Sequence, residues 1–555
     1  MLNALLILAP LPFWVQFSGY EFGTTYYFIA LSLTGLALTI YHRDRSALKL
    51  AIKQRRVNTS DSAIKETIQR RLKKSIQVIL TIGIASALGV LLLFSATRLT
   101  DATSSNALIG LSVITLLVTP LLFTSFRLIG FNLQPRVPGF IHQNLNAHKL
   151  LGVVSAALLY LVCLSGTFSV FYEEFERLEQ PDVEEYAVFE PTLIEPALQE
   201  YQQRLQRTPA SIYIVLPTPD FPRTHITDGV DEWYLNSDGQ FAQQPHVPWT
   251  EMIKALHTNL HLPYNLGMTL VGITGLLLTA LIISGVVAHP TLFRDAFLLR
   301  KKKSRRQQQT DLHNRLAVWA LPFHLMIALT GAFIGLSNDF FNVMASAQFD
   351  GDGQADSGVI VEAIYGDDPT LLSKGETINY VAAFQQLKTD VPNATPIYMV
   401  VHQLGQPEQL LEIAARLPGR FSYSEMYRFN TQGELVGHQG LTDGPVGRQL
   451  AYSTYRIHFG HFDGLWVKGL YGLLGLSLTL VCVFGMNIWF ARRGEQGLLH
   501  YLWQGWVWAT PVMLLLCYPL SLLGQLFSTT VPFSLTTLFW SGVLLVILLN
   551  LIRKR

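Results

Sequence analysis

Apolar residues gather along this chain in long runs, near 3–18, 25–41, 76–97, 107–128, 149–171, 264–288, 314–337, 465–490, 501–525 and 532–552. A helix needs about 20 residues to cross roughly 30 Å of hydrocarbon, so the pattern predicts about ten membrane spans. Pro10 and Pro12 interrupt the first run, and no basic segment marks it as a cleavable signal. Two long polar segments, about 172–263 and 338–464, separate the later runs. In each, a helical pattern (about 191–206 and 376–389) gives way to short alternating strands that meet at Asn/Gly turns.

Charge orients these spans. Residues 42–75 hold eleven Lys or Arg against three acids, and further basic groups stand at Arg300 to Arg306, at Arg492 and Arg493, and at Arg553 to Arg555. Such bias marks cytoplasmic loops. The two acid-rich loops then fall on the opposite, periplasmic side, both termini lie in the cytoplasm, and a bacterial inner membrane is the expected location. With 50% apolar and 14% charged residues, the composition is that of a membrane protein rather than a large soluble enzyme. The basic tracts read as topology signals and lipid headgroup contacts, not as a nucleic-acid surface. Cys163, Cys482 and Cys517 all fall inside apolar runs and form no CxxC, which argues against disulfides, zinc knuckles and covalently attached haem.

The chain also resembles itself. His148 through Ser165, Gly166 and Phe168 matches His313 through Thr330, Gly331 and Phe333 without a gap, at an offset of 165. Gly272, Gly275, Thr279 and Gly285 recur as Gly472, Gly475, Thr479 and Gly485, at an offset of 200. The strand Ile212 to Val215 is echoed by Ile397 to Val400, and the turn at Asn236 and Gly239 by Asn430 and Gly433. This predicts a duplicated core of two parallel units, each a span, an external α+β module and a second span, related by a pseudo-two-fold axis along the membrane normal. The expected divisions are accessory spans over 1–140, a first repeat over 141–290, a second over 291–490, and accessory spans over 491–555.

Among fifteen histidines, the informative ones sit where these spans meet the interfaces. His148 and His313 open equivalent spans on the cytoplasmic side. His257 and His261, and likewise His458 and His461, precede the later spans on the external side. Across a two-fold axis, equivalent imidazoles can face each other in pairs, which is the axial ligation that a b-type haem uses for electron transfer. A helical bundle supplies the apolar slot. Lys149 and Arg315 are candidates to pair with its propionates. On the external side His261 with His461 aligns without a gap, whereas His257 with His458 needs a one-residue shift. His324, eleven residues after His313, adds a further option on nearly the same helix face.

The stretches Ala147 to Gly152, Leu256-His257, Asp311 to Asn314 running into Thr330-Gly331, and Ile457 to Gly460 resemble the PepSY-associated transmembrane family, which includes iron-regulated membrane proteins and ferric-siderophore reductases. The resemblance covers about 140–490. It implies two PepSY-like periplasmic modules, one or two b-type haems held by His148, His257, His313 and His458, and electron passage to a periplasmic ferric siderophore that releases Fe(II). No GxGxxG follows a strand in a cytoplasmic segment, so quinol or a separate reductase is the expected donor. Two other classes fit the same architecture: a non-catalytic envelope sensor that binds a partner through its external modules, or a transporter, although the core spans carry few coupling carboxylates.

Overall fold

The structure, a computed structural model, describes residues 140–205, 207–297, 304–348, 377–462, 464–493, 497–526 and 534–552. The four spans expected before residue 140 lie outside these. Helix α1 (Phe140–Ser169) is followed by α2 (Tyr172–Glu179), α3 (Ile194–Arg204), strands β1 (Ser211–Val215), β2 (Thr224–Thr227) and β3 (Glu232–Leu235), then α4 (Pro248–Asn259) and α5 (Tyr264–Ala288). The second half holds α6 (Arg305–Trp319), α7 (Leu321–Gln348), α8 (Tyr380–Asp390), strands β4 (Thr395–His402), β5 (Leu410–Arg416), β6 (Glu425–Phe429) and β7 (Leu435–His438), then α9 (Val446–Phe459), α10 (Gly464–Arg493), α11 (Leu498–Leu526) and α12 (Leu535–Ile552). Six of these helices, α1, α5, α7, α10, α11 and α12, are long and apolar enough to cross a bilayer. This is a multi-pass membrane protein.

One expected span is placed differently. The run 314–337 is broken at Ala320, whose φ of −105° and ψ of 17° close α6 through bonds to the carbonyls of Leu316 and Val318. Pro322 follows, and a proline fits the first turn of a new helix because its missing N–H has no partner there. The apolar span therefore starts at Leu321, and His313 and His324 do not share one straight helix.

Helix α1 packs against α5 and α10, α5 against α7, and α6 against α10. Small residues set the closest crossing. A Cβ added to Gly275 would lie 2.8 Å from the Ala332 nitrogen, and one added to Gly272 would lie 2.8 Å from the Gly335 carbonyl carbon, so α5 and α7 meet backbone to backbone as small-residue helix pairs do in lipid. The last two helices pack on each other and on the α1 side. Their anchors are polar contacts of buried aromatic rings: Trp249 Nε1 donates to the Leu514 carbonyl at 2.7 Å, and the Tyr160 hydroxyl to that of Val507 at 2.7 Å.

The strands of both external segments join one seven-stranded antiparallel sheet in the order β3-β2-β1-β4-β5-β6-β7. At its centre β1 pairs with β4 from Ser211–His402 to Val215–Tyr398. Two separate modules would each leave that strand as an open edge with unpaired backbone groups, and joining them removes both edges. Ile212, Ile214, Met399, Val401, Leu411 and Ile413 point to one face, which α3 and α8 cover with Leu198, Tyr201, Ala383 and Leu387. Over the second segment's strands, the opposite face rests on α9 through Val400, Met426 and Tyr452.

Candidate functional site

Helices α1, α4, α6 and α9 each carry one histidine into the bundle. On the side away from the sheet, His148 and His313 stand with ring centroids 6.4 Å apart and planes at 77°. On the sheet side, His257 and His458 stand 6.2 Å apart with planes at 18°. The sequence left two external pairings open, and the structure brings together this one.

Hydrogen bonds fix which nitrogen of each ring is free. His148 Nδ1 lies 3.0 Å from the Leu281 carbonyl and 3.2 Å from Ser284 Oγ. His313 Nδ1 lies 2.9 Å from the Val481 carbonyl, and His257 Nδ1 3.0 Å from that of Val162. A carbonyl only accepts, so these Nδ1 atoms carry the proton and Nε2 keeps its lone pair. His458 Nδ1 donates to Thr330 Oγ1 at 2.9 Å, because that hydroxyl gives its own hydrogen to the Met326 carbonyl at 2.8 Å. All four rings are thus set in the tautomer that a metal-binding histidine uses, each oriented by a group on a neighbouring helix. Burial pulls both sheet-side imidazoles below their usual range, His458 to about 3. They are neutral at physiological pH.

Each ring also lies against a glycine. A Cβ on Gly166 would meet His257 Cε1 at 2.6 Å, on Gly285 that of His148 at 3.1 Å, on Gly331 that of His458 at 3.1 Å, and on Gly485 that of His313 at 3.3 Å. These glycines are the ones that recur at offsets of 165 and 200. Their recurrence was visible in the sequence, but their contact with the histidines was not, since each touches a ring from a distant part of the chain.

The other candidates are engaged elsewhere. His261 accepts from Trp540 Nε1 at 2.9 Å through Nδ1 and donates to the Met252 carbonyl at 2.7 Å through Nε2, which leaves it no free nitrogen. His461 is buried against Tyr172 and Phe459, with Nε2 3.9 Å from Glu173 Oε1. His324 is buried, and its Nε2 lies 3.0 Å from Ser477 Oγ. Arg315 extends toward the Ala296 carbonyl and the Trp319 ring. Between the sheet and the bundle, Lys468 is fully buried and pairs with Glu173 and Glu174. Glu425, His438 and Asp443 approach one another, but Glu425 is committed to the backbone N–H groups of Gly440, Leu441 and Thr442 and closes that turn.

The donor set suits haem. Each pair would offer two imidazole Nε2 donors, a ligand type that haem iron takes, from rings whose centroids lie 6.4 and 6.2 Å apart. The model of the PepSY-associated TM region matches residues 145–492, a stretch that contains all four histidines and the whole sheet. The chain belongs to this family. An uncharacterized protein of Pseudomonas aeruginosa is 25% identical over 262 residues, which cover 45% of this chain and 65% of that relative. In this PepSY-associated protein, then, the family region is the described core up to α10, and α11 and α12 follow it.

Proposed function

We propose that this chain is a bacterial inner-membrane reductase that holds two b-type haems, one between His148 and His313 and one between His257 and His458, and delivers electrons to a periplasmic ferric siderophore. The observation that carries this reading is the pairing of four imidazoles, each with Nε2 free and Nδ1 tied, at two levels of one bundle. Bound there, haem would supply reversible one-electron Fe(III)/Fe(II) chemistry, with His148 and His313, and His257 and His458, as the residues that would hold it.

The chain's own residues do the rest. The glycines let helix backbones approach the ligand rings, the apolar helices keep water from the bundle, and the Nδ1 acceptors hold each ring in orientation. The single sheet, formed by both external segments, offers the substrate-facing surface. A ferric chelate reduced there loses affinity for its metal and releases Fe(II). The duplication read in the sequence supports this reading, since His148 and His313 are equivalent at the offset of 165 and His257 and His458 correspond after a one-residue shift. Quinol or a separate reductase would supply electrons from the cytoplasmic side.

Protein purified from haem-sufficient cells tests this directly. Expected are two haems per chain, a six-coordinate bis-imidazole spectrum, reduction by dithionite and reoxidation by a ferric siderophore. Colourless protein, or haem that ferric siderophores leave reduced, ends the proposal.

A further inference from the structure

The two sheet-side histidines are oriented by different kinds of acceptor. Ser165 and Thr330 are equivalent at the offset of 165, and both hydroxyls bond back to their own helix, Ser165 to the Leu161 carbonyl at 2.8 Å and Thr330 to that of Met326 at 2.8 Å. In the first copy, His257 passes Ser165 and donates directly to the Val162 carbonyl at 3.0 Å. In the second, the residue equivalent to Val162 is Ile327, and the Thr330 hydroxyl stands between its helix and the ring, taking the His458 Nδ1 proton at 2.9 Å. His148 and His313 both have carbonyl acceptors. Of the four ligand rings, His458 is the one whose Nδ1 acceptor is a hydroxyl without a carbonyl beside it.

That difference has an electronic consequence. An amide carbonyl is a stronger acceptor than a hydroxyl, and a stronger pull on the Nδ1 proton makes Nε2 more basic. A more basic axial ligand favours the oxidised metal and lowers its potential. We infer that Thr330 is a positioning residue that makes the sheet-side histidine pair the weaker donor, giving the metal held by His257 and His458 the more positive potential of the two. The hydrogen bonds of the protein thereby set the direction of electron flow, toward the sheet. This rests on the reading of two histidine-bound haems.

A redox titration of the haem-loaded full chain tests it, with the two midpoints assigned through His313→Ala, which keeps the sheet-side haem. In the unsubstituted protein the sheet-side midpoint should be the higher. Thr330→Val keeps the side-chain shape but removes the acceptor, and should raise that midpoint further. Thr330→Asn offers an amide oxygen and should lower it toward the other. Thr330→Ser should leave both in place, and none of the three should move the His148/His313 midpoint. The inference is overturned by a sheet-side midpoint equal to or below the other, or by one that neither Val nor Asn moves while both haems are retained. Should a variant lose its haem, the order in the unsubstituted protein decides alone. Protein that binds no haem at all overturns instead the reading on which the inference rests.

Discussion

Gly166 and His257 lie so close that a methyl group on the glycine would come within 2.6 Å of the imidazole Cε1. The glycine is on α1 and the histidine on α4, so the ring is seated by a helix that its own segment does not contain. Gly166→Ala should push the ring from its place and lower the haem content from the proposed two per chain to one. Gly331→Ala, where the corresponding distance is 3.1 Å, should be milder. Haem-to-protein ratios of both variants check this, and full loading of Gly166→Ala would show that the seat is not needed.

Ring planes at 77° in one pair and 18° in the other would split the d orbitals of the proposed haem irons differently. Oxidised protein should therefore give two distinct low-spin electron paramagnetic resonance signals, a strongly anisotropic one from His148/His313 and a rhombic one from His257/His458. Removal of His313 should abolish the first alone. Two identical signals would contradict the orientations set by the Nδ1 hydrogen bonds.

His261 should prove structural. Its replacement by Ala leaves the buried Trp540 N–H and the Met252 carbonyl unpaired, a loss of about 1–3 kcal/mol for an unsatisfied group, with both haems retained. His148→Ala or His458→Ala should instead each remove one haem. Thermal stability and the pigment ratio, measured on the same samples, separate the two roles.

Lys468 sits among groups that need its charge. Burial pushes the Glu173 carboxyl up, but neighbouring His461 and the Lys468 ammonium, with hydrogen bonds from Lys468 and Tyr172, together outweigh this and hold it below its ordinary value. Lys468→Met would strand two carboxylates beneath the sheet and should destabilise the protein by about 3–5 kcal/mol, as breaking one side of a buried pair does. Adding Glu173→Gln and Glu174→Gln should restore part of the loss. A triple variant no more stable than Lys468→Met would show that charge is not the cause.

The sheet should also weaken in acid through Asp228. Burial raises this carboxyl, yet the N–H groups of Asp231 and Val230 and the Arg207 guanidinium outweigh it and hold it at about 2, against an ordinary 3.8. A depressed carboxyl stabilises the fold above its unfolded value, and that contribution disappears as pH falls through its folded value. Stability should thus drop between about pH 4 and pH 2, and Asp228→Asn should flatten that drop. Acid titrations of both proteins followed by circular dichroism make the comparison.

The sequence by itself determined the membrane class, the existence of the last six spans, although the α1 span starts at Ile141 rather than near 149 and the α7 span at Leu321 rather than near 314, and the helix-then-strand order of both external segments. Those features rest on local patterns: apolar runs as long as a bilayer is thick, and alternation along strands. The four glycines and the pair His148 with His313 were also legible, as recurrences at fixed offsets, while His257 with His458 needed a one-residue shift. Tertiary structure decided what depends on distant parts of the chain meeting. It chose His257 with His458 over His261 with His461, because Trp540, nearly 280 residues further on, occupies the His261 nitrogen. It merged two expected modules into one sheet, because edge strands with open backbone groups find each other. It also set the Thr330 hydroxyl, rather than a carbonyl, against His458, a choice that one rotamer and one helix position make and that no spacing along the chain encodes.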